Sequence, residues 1–285
     1  MSASEPTPED ATPRLRDLLG LRPGSVGSRC RWLRGVLRAD DPALEQAAWL
    51  VAERVLQERC RGVPGSFDAW QRAATGGQPL TSREREKLAA CVRSGFGVPE
   101  QPKAADHVQG HVAEWVWYLL AEETGNDGRT LRALEPPSPH PTAPGGDGLG
   151  IYALDDGAVV FRLWEIKKHV GSGSPSRAIS AAYEQLKEHG TEYLAQYAGP
   201  GTKQPGDIGR VYGELVELWV DADPRAGVGV AVSLSEAAAP RRCFSRMHHR
   251  FPRLDQPGQL EGLVTGIGDF AVFANRVKGI VWSAL

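Results

Sequence analysis

Cysteine is scarce in this chain and badly spaced for chemistry. Cys30, Cys60, Cys91 and Cys243 are scattered over 285 residues, and no two form a CxxC pair. Neither a cysteine zinc site nor a disulfide framework is expected, and reduced thiols in a cytoplasm fit the pattern. Long apolar runs are also missing, since nothing approaches the roughly 18 residues that a membrane span needs. The opening MSASEPTPEDATPR has no apolar centre and does not read as a secretory signal. Residues 1–13 are expected to form a disordered leader. Neither sign of charge is in excess: 33 Lys and Arg face 35 Asp and Glu, a net charge of −2. A polyanion would therefore have to be bound through a local patch or with a partner's help. The Gly-rich stretch GSGSPS lacks a P-loop lysine, so a phosphate cradle is not expected there.

What remains is an ordinary globular composition, 41% hydrophobic and 24% charged. Residues 14–103 read as a helical N-terminal region. DDPALEQAAWLVAERVLQERC has an acidic start and a Pro in its first turn, and TSREREKLAACVRSG opens with a Thr81/Glu84 capping box. A further helix is expected over about 104–123. Its apolar stripe is Val108, Val112, Trp115, Val116 and Leu119, flanked by His107, His111, Glu114 and Tyr118. Residues 124–146 are too rich in Pro and Gly to be regular. Later come a helix over about 176–197, with Gly190 weakening its middle, then GDIGRVYGELVELWV as another helix. VGVAVSLS and LEGLVTGI read as buried strands, and a closing helix has Asp269 as N-cap. The order from residue 104 on predicts an α/β fold, a mixed central β-sheet flanked by helices.

The informative stretch is GGDGLGIYALDDGAVVFRLWEIKKH, residues 145–169. Asp155-Asp156-Gly157 reads as a three-residue hairpin loop with Gly at its positive-φ position. That register pairs Leu154 with Ala158 and places Asp147 opposite Glu165. Opposed side chains share a face, and Lys167 shares it with Glu165 by the strand's period of two. Asp147, Glu165 and Lys167 thus converge, while Trp164 and Ile166 point to the other side. Two opposed carboxylates repel unless neutralised, and a divalent cation such as Mg²⁺ does this best, taking oxygen ligands. A nearby ammonium can orient an attacking water or stabilise a pentavalent phosphate.

Gly146-Asp147 followed by Glu165-Ile166-Lys167 resembles the core motif of the PD-(D/E)XK nuclease superfamily, the restriction-endonuclease-like fold. The likeness covers residues 104–285 as a nuclease domain and is sharp only at the Asp–x(17)–Glu–x–Lys core. It implies a Mg²⁺-dependent (or Mn²⁺-dependent) nuclease with Asp147 and Glu165 as metal ligands and Lys167 acting on the attacking water. Glu114 matches, in order and helical context, an auxiliary ligand on the preceding helix, and Gln185 matches a residue some members carry in the helix after the motif. Gly146 stands where the family pattern has Pro. The resemblance further implies DNA as substrate, with RNA as the alternative, and a cytoplasmic role in bacterial anti-phage or restriction defence beside a helicase or ATPase. No membrane association is expected.

Other readings compete. The fold could serve a non-enzymatic nucleic-acid-binding or scaffold subunit. His107, His111 and Glu114 could form a zinc site, because i, i+4 histidines on a helix can chelate, although HExxH is absent. RRCFSRMHHRFPR places Arg241, Arg242, Arg246 and Arg250 with Phe244 and Phe251, a composition suited either to a solvated loop or to nucleic-acid contact.

Overall fold

The computed structural model describes residues 13–24, 30–40, 42–124, 129–139, 146–171, 174–235 and 243–285. The chain runs through α1 (Leu15–Leu18), β1 (Arg22–Pro23) and β2 (Arg31–Leu37), then α2 (Ala43–Arg59), α3 (Ser66–Ala74) and α4 (Ser82–Val92). A small ladder of β3 (Gly97–Val98) and β4 (Gln101–Pro102) leads into α5 (Ala105–Glu123). Next come β5 (Arg129–Leu134), β6 (Gly148–Leu154) and β7 (Val159–His169), followed by α6 (Ser176–Gly201) and α7 (Gly206–Val220). The chain closes with β8 (Val228–Leu234), α8 (Met247–Arg250), β9 (Leu260–Ile267) and α9 (Phe270–Trp282).

Seven strands form one mixed sheet in the order β1-β2-β9-β8-β7-β6-β5, so the mixed sheet flanked by helices is present. Its four central strands, β2, β9, β8 and β7, are parallel, and antiparallel strands sit on both sides. The parallel strands β8 and β9 are buried along their whole length, as near-continuous apolar runs require when helices cover both faces. On one face α2, α4, α5 and α9 pack over Trp164, Ile166, Ala231 and Leu263. On the other, α6 and α7 pack over Leu149, Phe161, Leu163, Val230 and Val232.

Local signals explain several boundaries. Glu84 N donates to Thr81 Oγ1 at 3.3 Å and Thr81 N donates back to Glu84 Oε2 at 2.8 Å, so the capping box starts α4. Asp269 Oδ1 accepts from Val272 N at 3.0 Å and caps α9. Gly157 sits at φ +85° in the hairpin loop, where a side chain would be strained.

Two stretches differ from expectation. Arg31–Leu37 lies in the region read as helical, yet it is a strand paired in parallel with β9. Arg129–Leu134 lies in the supposed irregular connection, yet it forms the edge strand β5 on β6, with a register shift between Leu131 and Ala133. Neither RWLRGVL nor RTLRAL alternates cleanly between apolar and polar residues, and both become strands because a neighbour offers them a ladder. The expected weakness at Gly190 is also absent. A Cβ there would come within 2.5 Å of the Trp219 ring, so the glycine admits α7 against α6 and the helix runs on. No helix among the described residues is long and apolar enough to cross a membrane. The proposed leader lies outside the described residues, apart from Pro13.

A carboxylate and lysine cluster at the end of the hairpin

The hairpin register is the one read from the loop. Gly148 pairs with Trp164, Leu149 with Leu163 and Ala153 with Val159, and Leu154 N donates to Ala158 O at 2.8 Å. β6 begins at Gly148, whereas β7 continues to His169, so beyond Trp164 the longer strand has no β6 neighbour. Asp147 fills the first vacant position: its Oδ2 accepts from Ile166 N at 2.7 Å. A carboxylate thus replaces a ladder carbonyl and is held beside Glu165.

Glu165 is fully buried. Its Oε1 accepts from Lys167 Nζ at 2.5 Å, and its Oε2 is buried with no hydrogen-bond partner. Lys167 Nζ also donates to Gln185 Oε1 at 2.8 Å, and Gln185 Nε2 donates to Tyr193 Oη at 2.9 Å. Tyr197 Oη donates to Gly146 O at 2.7 Å, pinning the segment that carries Asp147. Asp147, Glu165, Lys167 and Gln185 are therefore brought together, with α6 as the wall.

The electrostatics record crowding. Burial, then repulsion from Asp147, push the Glu165 carboxyl up to about 8 despite the pull of Lys167. Burial also raises Asp147, against the Ile166 N–H and Lys167. Lys167 is disfavoured by burial, but the Glu165 and Asp147 charges outweigh that and hold it above its ordinary value.

Glu114 joins the same field from the opposite face of the sheet. Burial and then the Asp147 charge raise its carboxyl well above the ordinary range, with Glu165 adding to the rise and Arg59 and Lys167 opposing it. Far from being a flank residue of an amphipathic helix, Glu114 is buried, because α5 is enclosed by α2, α9 and the sheet. Its Oε2 lies 3.4 Å from His111 Nδ1, and Trp115 Nε1 donates to His111 Nε2 at 3.0 Å. An Nε2 that accepts leaves the proton on Nδ1, where it faces Glu114. Burial, Arg59 and His107 together depress His111 well below its ordinary value, so the ring is neutral.

The zinc alternative meets an obstacle here. Both nitrogens of His111 are engaged, and His107 Nε2 turns to Ser94 O at 3.2 Å. Among the described residues no group of three His, Cys, Asp or Glu side chains is placed to hold a metal ion. A hard divalent cation nonetheless suits the donors at the hairpin. They are carboxylates only, mutually repelling, and one buried oxygen, Glu165 Oε2, has no other partner.

The basic segment resolves differently. Arg241 and Arg242 lie outside the described residues. Arg246 and Arg250 are exposed, and Arg250 pairs with Glu184 on α6 at 2.9 Å. The two aromatics expected to offer stacking surfaces are buried in the α6 face core, Phe244 at 0% and Phe251 at 7% exposure. They anchor the segment and cannot stack on bases.

Two tyrosines of α6 also serve the cluster, Tyr193 through Gln185 and Tyr197 through Gly146 O. Tyr193 and Tyr197 are one turn apart on α6, and nothing in their spacing sets their hydroxyls apart from other core residues of that helix. Arg59, whose guanidinium lies 5.2 Å over the Trp115 ring, had no local signal because it comes from α2. The comparisons with known proteins find no family model that matches the chain and no curated protein that matches it significantly.

Proposed function

We propose that the protein is a metal-dependent nuclease that hydrolyses phosphodiester bonds of DNA. The observation that carries this reading is Glu165: buried, opposed to Asp147, with one oxygen on Lys167 and the other without a partner. Asp147 and Glu165 would hold Mg²⁺ or Mn²⁺, with Glu114 as a third carboxylate. Such an ion, when bound, makes a water more acidic and neutralises charge on a phosphoryl oxygen. Lys167 is a cation held between Glu165 and Gln185, and it can orient the attacking water or offset charge gathering on the phosphate. Tyr193 positions Gln185, and Tyr197 positions the Gly146–Asp147 segment. The likeness of the Asp147…Glu165-x-Lys167 motif to the PD-(D/E)XK superfamily adds the setting, bacterial defence against phage or foreign DNA beside a helicase or ATPase. The net charge of −2 supports a need for such a partner.

A second reading, a nucleic-acid-binding or scaffold subunit without catalysis, is favoured by two observations. Lys167 already engages Glu165, and no three ligands converge as placed among the described residues.

The test is cleavage of linear and supercoiled DNA with Mg²⁺, with metal affinity by calorimetry and folding by circular dichroism. Lys167→Ala should lower the rate by about 10²–10³ and leave metal binding largely intact, because an ammonium is no Mg²⁺ ligand. Glu165→Ala should remove both. A Lys167→Ala protein that cuts at the wild-type rate removes Lys167 from the mechanism. A wild-type protein that binds DNA but never cuts it favours the scaffold.

A further inference from the structure

His111 is enclosed completely, at 0% exposure. The fold makes room for its ring, since a Cβ at Gly95 would lie 2.5 Å from His111 Nε2. Phe96 meets the ring in a T-shaped contact with centroids 5.3 Å apart, and Ser94 O lies 3.2 Å from the neighbouring His107 Nε2. One short stretch after α4 therefore touches both histidines of α5. His111, Glu114 and Trp115 are spaced i, i+3 and i+4, which puts them on one face of that helix. A buried imidazole has two nitrogens to satisfy, and both are engaged within this group of three.

The bonds run in one direction. An indole N–H can only donate, and Trp115 Nε1 donates to His111 Nε2 at 3.0 Å. Which nitrogen of an imidazole carries the proton is set by the bond that the other one makes. With Nε2 held as an acceptor the proton sits on Nδ1, and Nδ1 lies 3.4 Å from Glu114 Oε2. The opposite tautomer would set an N–H against the indole N–H and a lone pair against the carboxylate. Trp115 is itself held in place. It is buried at 0% exposure, packs edge-on to Tyr118 at 5.3 Å, and carries the Arg59 guanidinium 5.2 Å over its ring. Arg59 is fixed in turn by donating to Pro137 O at 2.9 Å and Ser138 O at 2.7 Å. Glu114 Oε1 has no hydrogen-bond partner among the described residues, and the charges of Asp147 and Glu165 both act on this carboxyl.

We propose that Trp115 and His111 are positioning residues that hold Glu114 as a ligand for the divalent cation. Trp115 fixes the tautomer, His111 presents its N–H to one carboxylate oxygen, and the other oxygen is left to the cation. The proposal rests on the nuclease reading in one respect, that Glu114 joins Asp147 and Glu165 as a third carboxylate at the ion. Carboxylates that ligate metals are themselves hydrogen-bonded, and the loss of such an outer partner typically weakens metal affinity by about 10–100-fold. The histidine spacing that suggests zinc thereby has another use. His111 serves a metal through Glu114 and does not bind one itself.

Calorimetric titration of the metal-free full-length protein with Mn²⁺ tests this, together with heteronuclear NMR of the histidine rings and circular dichroism for folding. The wild type should bind Mn²⁺ and show His111 with its proton on Nδ1. Trp115→Phe keeps a ring under Arg59 but loses the indole N–H. It should weaken Mn²⁺ binding about tenfold and let His111 populate the Nε2–H tautomer. His111→Phe should weaken binding about as much, and His111→Asn, whose amide N–H can stand where Nδ1–H stood, should recover most of the loss. In a Glu114→Gln background Trp115→Phe should cost nothing more, because its effect runs through Glu114. Four results would overturn the proposal while leaving Asp147 and Glu165 as ligands. They are an Nε2–H tautomer in the wild type, unchanged Mn²⁺ affinity in the folded variants, the same loss from Trp115→Phe with and without Glu114, and a His111→Asn protein no better than His111→Phe. A wild type that binds no Mn²⁺ would overturn the metal-dependent reading, and this proposal with it. If Trp115→Phe does not fold, the His111→Phe and His111→Asn pair carries the comparison.

Discussion

Glu165 has the unusual position of a carboxyl that is fully buried, faces another carboxyl and is only half satisfied by its lysine. Its pKa is raised from 4.5 to about 8 by burial and by Asp147. Between those values the unfolded chain has released this proton while the native state still holds it. The native state binds more protons there, so stability falls as pH rises through the window and levels off above it. The metal-free protein should therefore melt at progressively lower temperature from about pH 5 to about pH 8, relative to Glu165→Gln, which cannot ionise. Thermal melts of both proteins across that range give the answer. A wild-type melting temperature that climbs relative to the variant would mean that Glu165 is ionised in the native state and better paired than its surroundings indicate.

At the scale of elements, glycines decide how closely helices approach. Gly190 lies mid-way along α6, where intrinsic propensity alone would favour Ala by about 1 kcal/mol. A Cβ there would meet the Trp219 ring at 2.5 Å, and rings packed between helices cannot retreat cheaply. Gly279 in α9 is exposed, and a Cβ there meets nothing within 4 Å. Gly279→Ala should thus stabilise by roughly 0.5–1 kcal/mol, and Gly190→Ala should destabilise by roughly 1–3 kcal/mol. Urea unfolding of the two variants compares them directly. Equal gains from both would show that α6 and α7 are not in close contact. The start of the hairpin obeys the same rule, since Gly148 gives its Cβ space to Trp117 and so seats α5, with Glu114, against the face of the sheet opposite α6.

For the whole molecule, charge balance governs binding to nucleic acid. With a net charge of −2, and with Arg250 tied to Glu184, the purified chain has few phosphate contacts to offer. It should bind DNA weakly, and binding should weaken further with salt. Log affinity against log salt should fall by about 0.9 per phosphate contacted. Replacing exposed Arg246 by Ala should reduce that slope by about one contact if the segment lies on the DNA path. Fluorescence anisotropy at several salt concentrations measures both. Tight binding that ignores salt would rule out a small basic patch as the main contact.

The sequence alone was enough for the hairpin, because its register depends on a three-residue loop and a period of two, both local. From these came the juxtaposition of Asp147, Glu165 and Lys167, and the opposite direction of Trp164 and Ile166. The capping box at Thr81, the cap at Asp269 and the mixed α/β class were legible for the same reason. Tertiary structure decided what local patterns do not encode. β2 and β5 are strands because β9 and β6 offer hydrogen bonds, although neither segment alternates cleanly enough to declare itself. Phe244 and Phe251 looked like partners for bases, but burial under α6 made them anchors. Glu114 reads as a helix flank, yet it is buried because three separate elements close over α5. The cluster of Arg31, Arg129, Arg162 and Glu261 assembles residues up to 230 positions apart on neighbouring strands, and only the order of those strands brings their charges together.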